Sequence, residues 1–286
     1  MKLIVDSGST NAQWVLVANN GDCSQFKTDG INPFYQSREG MKNTIMSQLM
    51  PQIAHLLWVG PIEQVFFYGA GCTPEKKPFV EEALQTSFKK AKIHVESDLV
   101  GACRALLGDK EGIACVLGTG SNSCHYDGKE ILKNVSPLGY VLGDEGSGAV
   151  LGKRLVADIL KNQISSDVKE LFFVEMNTAQ AEIMENVYRR PFPNRYLASL
   201  SKFCVNHLDI QRIYDLVYDN FDSFVKRNVL QYPKNLPVGF VGSIAYYYRA
   251  VLEKVLEANN LTLQTIAQSP IDGLIQYHIP TSNHKP

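Results

Sequence analysis

The chain has no surplus of positive charge. Its 286 residues carry 28 Lys and Arg against 29 Asp and Glu, a net charge of −1. Nucleic acid and anionic lipid surfaces therefore find no overall basic field to grip, which excludes both as expected partners. Cysteine is scarce as well. The six thiols, at 23, 72, 103, 115, 124 and 204, form no CxxC pair and no Cys/His ladder, so neither a disulfide scaffold nor a zinc module is written here. No apolar run approaches the roughly 18 residues of a membrane span. The opening Met1-Lys-Leu-Ile-Val-Asp6 reaches a carboxylate too early for a secretory signal, so the expected compartment is the cytoplasm. What remains is ordinary for a folded chain: 45% hydrophobic and 10% aromatic residues. At about 150 residues per domain, the length predicts two domains.

Patterning along the chain reads as α/β. Leu3-Ile-Val5 and Trp14-Val-Leu-Val17 are predicted strands on either side of the small-residue loop Asp6-Ser-Gly-Ser-Thr10-Asn11. The turn Asn19-Asn-Gly-Asp22 leads to a third strand through Phe26. Arg38 to Leu57 has helical spacing, with Pro51 expected to kink or split it. A strand over Gln64–Gly69, a helix from Glu75 to Lys90, a strand over Ile93–Glu96 and a helix from Asp98 to Leu107 follow. Then the pattern restarts. Ile113–Leu117 is a strand, Gly118-Thr-Gly-Ser-Asn-Ser123 a second glycine and hydroxyl loop, Cys124–Tyr126 a strand, and Asp127-Gly128 a turn. This weak internal repeat predicts a duplicated fold. A long helix is expected over 149–162, with further helices to about 230 and a strand from Pro237 that ends at Gly242-Ser243.

Four loops carry candidate chemistry. Glycine and hydroxyl residues at strand turns let backbone N–H groups approach an anion, so Ser9 and Thr10 in the first loop are phosphate candidates, as are Gly118, Thr119 and Gly120 in the second. Asp6, a carboxylate just before a phosphate loop, suits Mg²⁺. Leu142-Gly-Asp-Glu-Gly-Ser-Gly148 puts an acidic pair between glycines and opens a helix with Ser147 as candidate N-cap. Gly242-Ser243, at a strand end before a helix, can admit a purine against backbone. Each loop alone also reads as a plain turn.

Their order is more telling. Asp-x-Gly-Ser-Thr, Gly-Thr-Gly, Gly-Asp-Glu-Gly and Val-Gly-Ser in sequence resemble the acetate and sugar kinase, Hsp70 and actin superfamily. Leu117-GTGSNS-Ser123 followed by Leu142-GDEGSG-Gly148 resembles its N-acetylglucosamine kinase branch, within the ATPase family that includes dehydratase activators. The resemblance runs from residue 3 to about 250 and is thin over 160–230. It implies two ribonuclease H-like, actin-like ATPase domains with mixed sheets flanked by helices and a cleft between them. The expected boundaries are 1–111 for a lobe with the first phosphate loop and sugar contacts, and 112–270 for a lobe with the second phosphate loop and the adenosine site. The segment 271–286 is expected to pack back on the first lobe.

By the same resemblance, Asp6 faces the metal, Thr10 and Thr119 contact ATP phosphates, and Gly242 and Ser243 meet adenosine. Asn32, Ser121, Asn122, Gly139 and Asp144 fall at sugar contacts, together with Asp98. Asp98, at a strand end opening a small-residue helix, is also the expected catalytic base, because phosphoryl transfer to a hydroxyl needs a carboxylate to accept the proton. The implied activity is ATP- and Mg²⁺-dependent phosphorylation of an amino sugar, N-acetylglucosamine or glucosamine at the 6-position. A homodimer is the family-level expectation. One departure stands out: where the sugar kinases carry Gly-Trp-Gly before GDEG, this chain has Ser136-Pro-Leu-Gly-Tyr140. The competing reading, an ATP-driven activator for a dehydratase, would need a subunit-bridging cysteine pair for an iron–sulfur cluster. A non-catalytic nucleotide switch would leave Asn32, Asp98 and Asp144 without a purpose.

Overall fold

The computed structural model describes residues 1–8 and 10–279. The chain divides into two units, Met1–Gly108 joined by the segment from Pro270, and Asp109–Ser269. Among the described residues no helix is long and apolar enough to cross a membrane.

The first unit builds a sheet of β1 (Lys2–Ser7), β2 (Asn11–Val17), β3 (Cys23–Asp29), β4 (Gln64–Gly69) and β5 (Lys92–Ser97), in the order β3-β2-β1-β4-β5. The first three strands form an antiparallel meander, and β1, β4 and β5 run parallel. Leu3, Val5, Trp14, Leu16, Val65 and Phe67 share one buried face. Trp14 lies edge-on to Phe67 with centroids 6.3 Å apart, and its indole N–H donates to Thr28 Oγ1 at 2.9 Å. The polar tip of this large apolar residue is thereby satisfied inside the core.

The opposite face packs Ile4, Val15, Val17 and Tyr68 against Ile271 and Leu274 of the C-terminal helix Ile271–His278. Polar contacts fasten that helix. The Tyr68 hydroxyl lies 2.7 Å from His278 Nε2 and accepts from Arg104 at 2.9 Å, Lys2 Nζ donates to the His278 carbonyl at 2.9 Å, and the His278 ring stacks on Phe66.

The tract expected to be kinked or split at Pro51 is helical through Pro51 as far as Ile53. Arg38–Thr44 passes into a π-helical turn over Ile45–Leu49 and then Met50–Ile53, with Pro51 in the first turn of the last piece. Widening the turn there accommodates a residue without an N–H.

The second unit repeats the plan. Its strands are β6 (Gly112–Leu117), β7 (Ser121–Tyr126), β8 (Ile131–Asn134), β9 (Val238–Val241) and β10 (Leu263–Ala267), ordered β10-β9-β6-β7-β8. Again a meander (β6-β7-β8) is extended by parallel strands, so the order and directions match those of the first unit. The edge strands β8 and β10 are additions to the sequence reading: Ile131–Asn134 and Leu263–Ala267 are short and half-exposed, which leaves little apolar signal. The core joins Cys115, Leu117 and Phe240 to Leu151, Phe221 and Phe224 from the helices Gly148–Leu160 and Gln211–Arg227.

Candidate active site

Parallel pairing brings the carboxyl ends of β1, β4 and β5 level: Ser7 lies opposite Gly69, and Gly69 opposite Ser97. In open α/β sheets this edge is where ligands bind. Asp6 precedes Ser7 by one residue and Asp98 follows Ser97 by one, so two carboxylates distant in sequence meet at one edge. Burial, and secondarily the negative charge of Asp98, pushes Asp6 from 3.8 up to about 7. Burial also raises Asp98, although the Leu99 N–H, donating to its Oδ1 at 2.9 Å, pulls the other way. The helix N-cap is Ser97, whose Oγ accepts from Val100 N–H at 3.3 Å. That assignment leaves Asp98 as the first helical residue, where the helix dipole favours an anion.

Around this pair the loops are closely tied. Ser7, fully buried, accepts from Ile31 N–H at 2.8 Å and so anchors the segment that carries Asn32. Asn32 is 5% exposed, and its Oδ1 accepts from Phe34 N–H at 2.9 Å. A Cβ at Gly71 would strike that same Oδ1, so glycine is what leaves room for the amide. Cys72 is buried near Asp98; burial and that charge push its thiol up to about 12 and leave it unreactive.

In the second unit three loops are stitched together by backbone. Gly118 N–H donates to Gly120 O at 2.9 Å, Gly148 N–H to Gly118 O at 2.9 Å, and Ala149 N–H to Thr119 O at 3.1 Å. Gly242 closes the set: its φ is +123° and a Cβ would collide with Leu117 O. Only glycine occupies such a position without strain. The Asp144 carboxylate lies against Gly120, with Oδ2 3.0 Å from where a Cβ would stand. Asp144 itself holds a left-handed φ of 54°. Burial raises its carboxyl to about 6, against the lowering effect of the Ser121 N–H; Glu145 raises it further and Lys153 lowers it.

The predicted residues thus fall into two groups. Asp6, Thr10, Asn32 and Asp98 gather at the first unit's strand ends, and Gly118, Thr119, Gly120, Ser121, Asp144, Gly242 and Ser243 at the second unit's. Thr10, Thr119 and Ser243 are exposed, and Ser147 caps its helix by accepting from Val150 N–H at 3.2 Å. Ser9 lies outside the described residues. Asn122 is engaged within its own sheet: its Oδ1 accepts from Ser123 N–H at 2.9 Å and from Asn134 Nδ2 at 2.8 Å. Gly139 opens the short exposed helix Gly139–Leu142 with a φ of +75° and nothing within 4 Å of a Cβ position. Asn220, absent from the sequence reading, is fully buried and bonds both Gly146 and Ser147.

Two units of one duplicated sheet plan, each with a glycine and hydroxyl loop at its strand ends, define an actin-like ATPase fold. No protein-family model matches the chain, and no curated protein matches it. Among solved structures it is similar to a Porphyromonas gingivalis protein assigned by name as an N-acetylglucosamine kinase. Identity is 50%, covering 97% of this chain and 98% of that one, with a TM-score of 0.94. A Chromobacterium violaceum protein with the same assigned name aligns at 18% identity over 96% of this chain and 98% of its own, TM-score 0.73. The ethanolamine utilization protein EutJ of Carboxydothermus hydrogenoformans aligns at 15% identity over 96% and 88%, TM-score 0.56. The latter two share the fold. On the first likeness, the chain belongs to the N-acetylglucosamine kinase family of sugar kinases.

Proposed function

We propose that the protein transfers the γ-phosphoryl group of ATP to a hydroxyl of an amino sugar, with the 6-hydroxyl of N-acetylglucosamine or glucosamine as acceptor. The observation that carries this reading is the Asp6–Asp98 pair at the strand ends. Asp98, raised by burial, accepts the acceptor hydroxyl's proton as that oxygen attacks the γ-phosphorus and the bond to the leaving ADP oxygen breaks. The Asn32 amide takes sugar hydroxyls, as do the Asp144 carboxylate and Ser121, whose N–H bonds Asp144. The hydroxyls of Thr10 and Thr119 and the backbone of Gly118 and Gly120 receive phosphate oxygens. Gly242 and Ser243 take the nucleoside.

Asp6 fits Mg²⁺. It is a buried carboxyl beside a second one, a site that a cation would relieve of its repulsion. Among the described residues no cluster of three or more His, Cys, Asp or Glu is arranged to cage a metal, which suits an ion held by one or two carboxylates and the substrate's phosphates. When bound there, Mg²⁺ supplies neutralisation of phosphate charge.

The activator reading lacks support in the thiols. Cys72, Cys103, Cys115, Cys124 and Cys204 are buried and Cys23 alone is exposed, so no pair is presented to bridge a cluster.

Incubation with ATP, Mg²⁺ and a panel of hexoses and amino sugars, followed by phosphorus NMR, tests the proposal. A 6-phosphorylated amino sugar is expected. ADP release with no phosphorylated sugar would overturn it.

A further inference from the structure

The acidic pair of the Gly143-Asp-Glu-Gly146 segment is divided between two tasks, and the helix behind it does the dividing. Asn220 lies in Gln211–Arg227, fully buried on the face that also carries Val217, Phe221 and Phe224. A polar amide in such surroundings must find partners at both ends. It does so on two consecutive residues of the loop: Oδ1 accepts from Gly146 N–H at 3.2 Å, and Nδ2 donates to Ser147 O at 3.2 Å. Two helical turns further on, and so on the same side of the helix, Arg227 Nε bonds Glu145 Oε1 at 2.8 Å. The Glu145 side chain is 13% exposed and Arg227's is 66%, so the pair turns Glu145 toward the helix.

Asp144 is caught between these anchors and the chain before them. Its N–H donates to Pro137 O at 2.8 Å, and its carbonyl accepts from Ser147 N–H at 3.1 Å. A non-glycine residue with a φ of 54° persists only where its surroundings over-determine it. Here they do, and the outcome is a carboxylate laid against Gly120.

We propose that Asn220 and Arg227 are positioning residues for sugar binding: by holding Gly146, Ser147 and Glu145 they fix Asp144 in its left-handed conformation, aimed at the sugar, and keep Glu145 out of substrate contact. This rests on the sugar kinase reading above and adds to it two residues that touch no substrate.

Steady-state kinetics on Asn220→Ala, Asn220→Asp and Arg227→Met, with Ile213→Ala as a control that opens a cavity in the same helix, tests the inference. Loss of folded protein lowers apparent kcat and leaves KM unchanged, whereas loss of positioning raises the sugar KM. Asn220→Asp keeps an acceptor for Gly146 N–H but faces the Ser147 carbonyl with an oxygen; it and Asn220→Ala should raise the sugar KM about tenfold or more, as expected for unmaking a buried hydrogen bond. Arg227→Met should raise it about threefold, in keeping with a partly exposed ion pair. Ile213→Ala should lower the melting temperature with the sugar KM within about twofold of wild type. If the Asn220 variants do not fold, Arg227→Met carries the test, since its side chain is largely exposed. An active wild type with unchanged sugar KM in the folded variants overturns the inference; a wild type that phosphorylates no sugar overturns the function on which it rests.

Discussion

Replacing Asp6 with asparagine should make the metal-free protein more stable and catalytically useless. In the folded chain Asp6 titrates near 7 in place of 3.8, because burial and the neighbouring Asp98 charge both oppose ionisation. A carboxyl that binds its proton more tightly when folded stabilises the fold fully below pH 3.8, loses that contribution as pH rises toward 7, and contributes none above. At about 1.4 kcal/mol per tenfold change in proton affinity, the ionised form costs the fold at most about 4 kcal/mol. Local relaxation and water reduce this, so a gain of about 2–4 kcal/mol is expected for Asp6→Asn at pH 8 and almost none at pH 4. Urea unfolding in EDTA reads it directly. The chain has two tryptophans; Trp14 is fully buried in the first unit's core and Trp58 is 92% exposed, so the emission shift follows unfolding of the unit that holds Asp6. Adding Mg²⁺ with nucleotide should stabilise wild type and leave Asp6→Asn nearly unmoved. A variant less stable than wild type at pH 8, or a difference equal at pH 4 and pH 8, would refute this account of the site's electrostatics.

Two further outcomes follow from the same geometry. Asp98→Asn should preserve folding and sugar binding while lowering kcat by about 10² or more, the usual range for losing a general base; thermal shift with sugar and stopped-time product assays separate the two effects. Gly242→Ala should lose nucleotide affinity together with stability, because its φ of +123° and the Leu117 carbonyl leave no room for a methyl group; nucleotide titration by calorimetry and a melting curve check both.

Much of the plan was legible locally. Short apolar runs at Leu3–Val5, Trp14–Val17 and Ile113–Leu117, punctuated by Gly-Ser-Thr and Gly-Thr-Gly, reveal duplicated strand–loop–strand units because buried runs and turn chemistry are properties of a few adjacent residues. Ser147 as a helix cap belongs to the same class. Pro51 marks the boundary of this kind of reading: the local rule called for a kink or a split, and the fold answered with a wider turn that keeps Ile45, Leu49 and Ile53 buried.

The sequence by itself determined which residue types stand at strand ends: an acid before the first phosphate loop, an acid opening the Asp98–Leu107 helix, and glycines where backbone approaches closely. Tertiary structure alone decided which of them meet. Asp6 and Asp98 share an edge only because β1, β4 and β5 pair in register, and no local signal encodes pairing across so many residues. Asn122 matched a family position yet turns to Asn134, while Asn220, in the stretch where resemblance was thin, holds the loop of Asp144. The physical reason is common to both: periodicity and turn chemistry are local, whereas a side chain's hydrogen-bond partner is selected by the packing of distant elements around it.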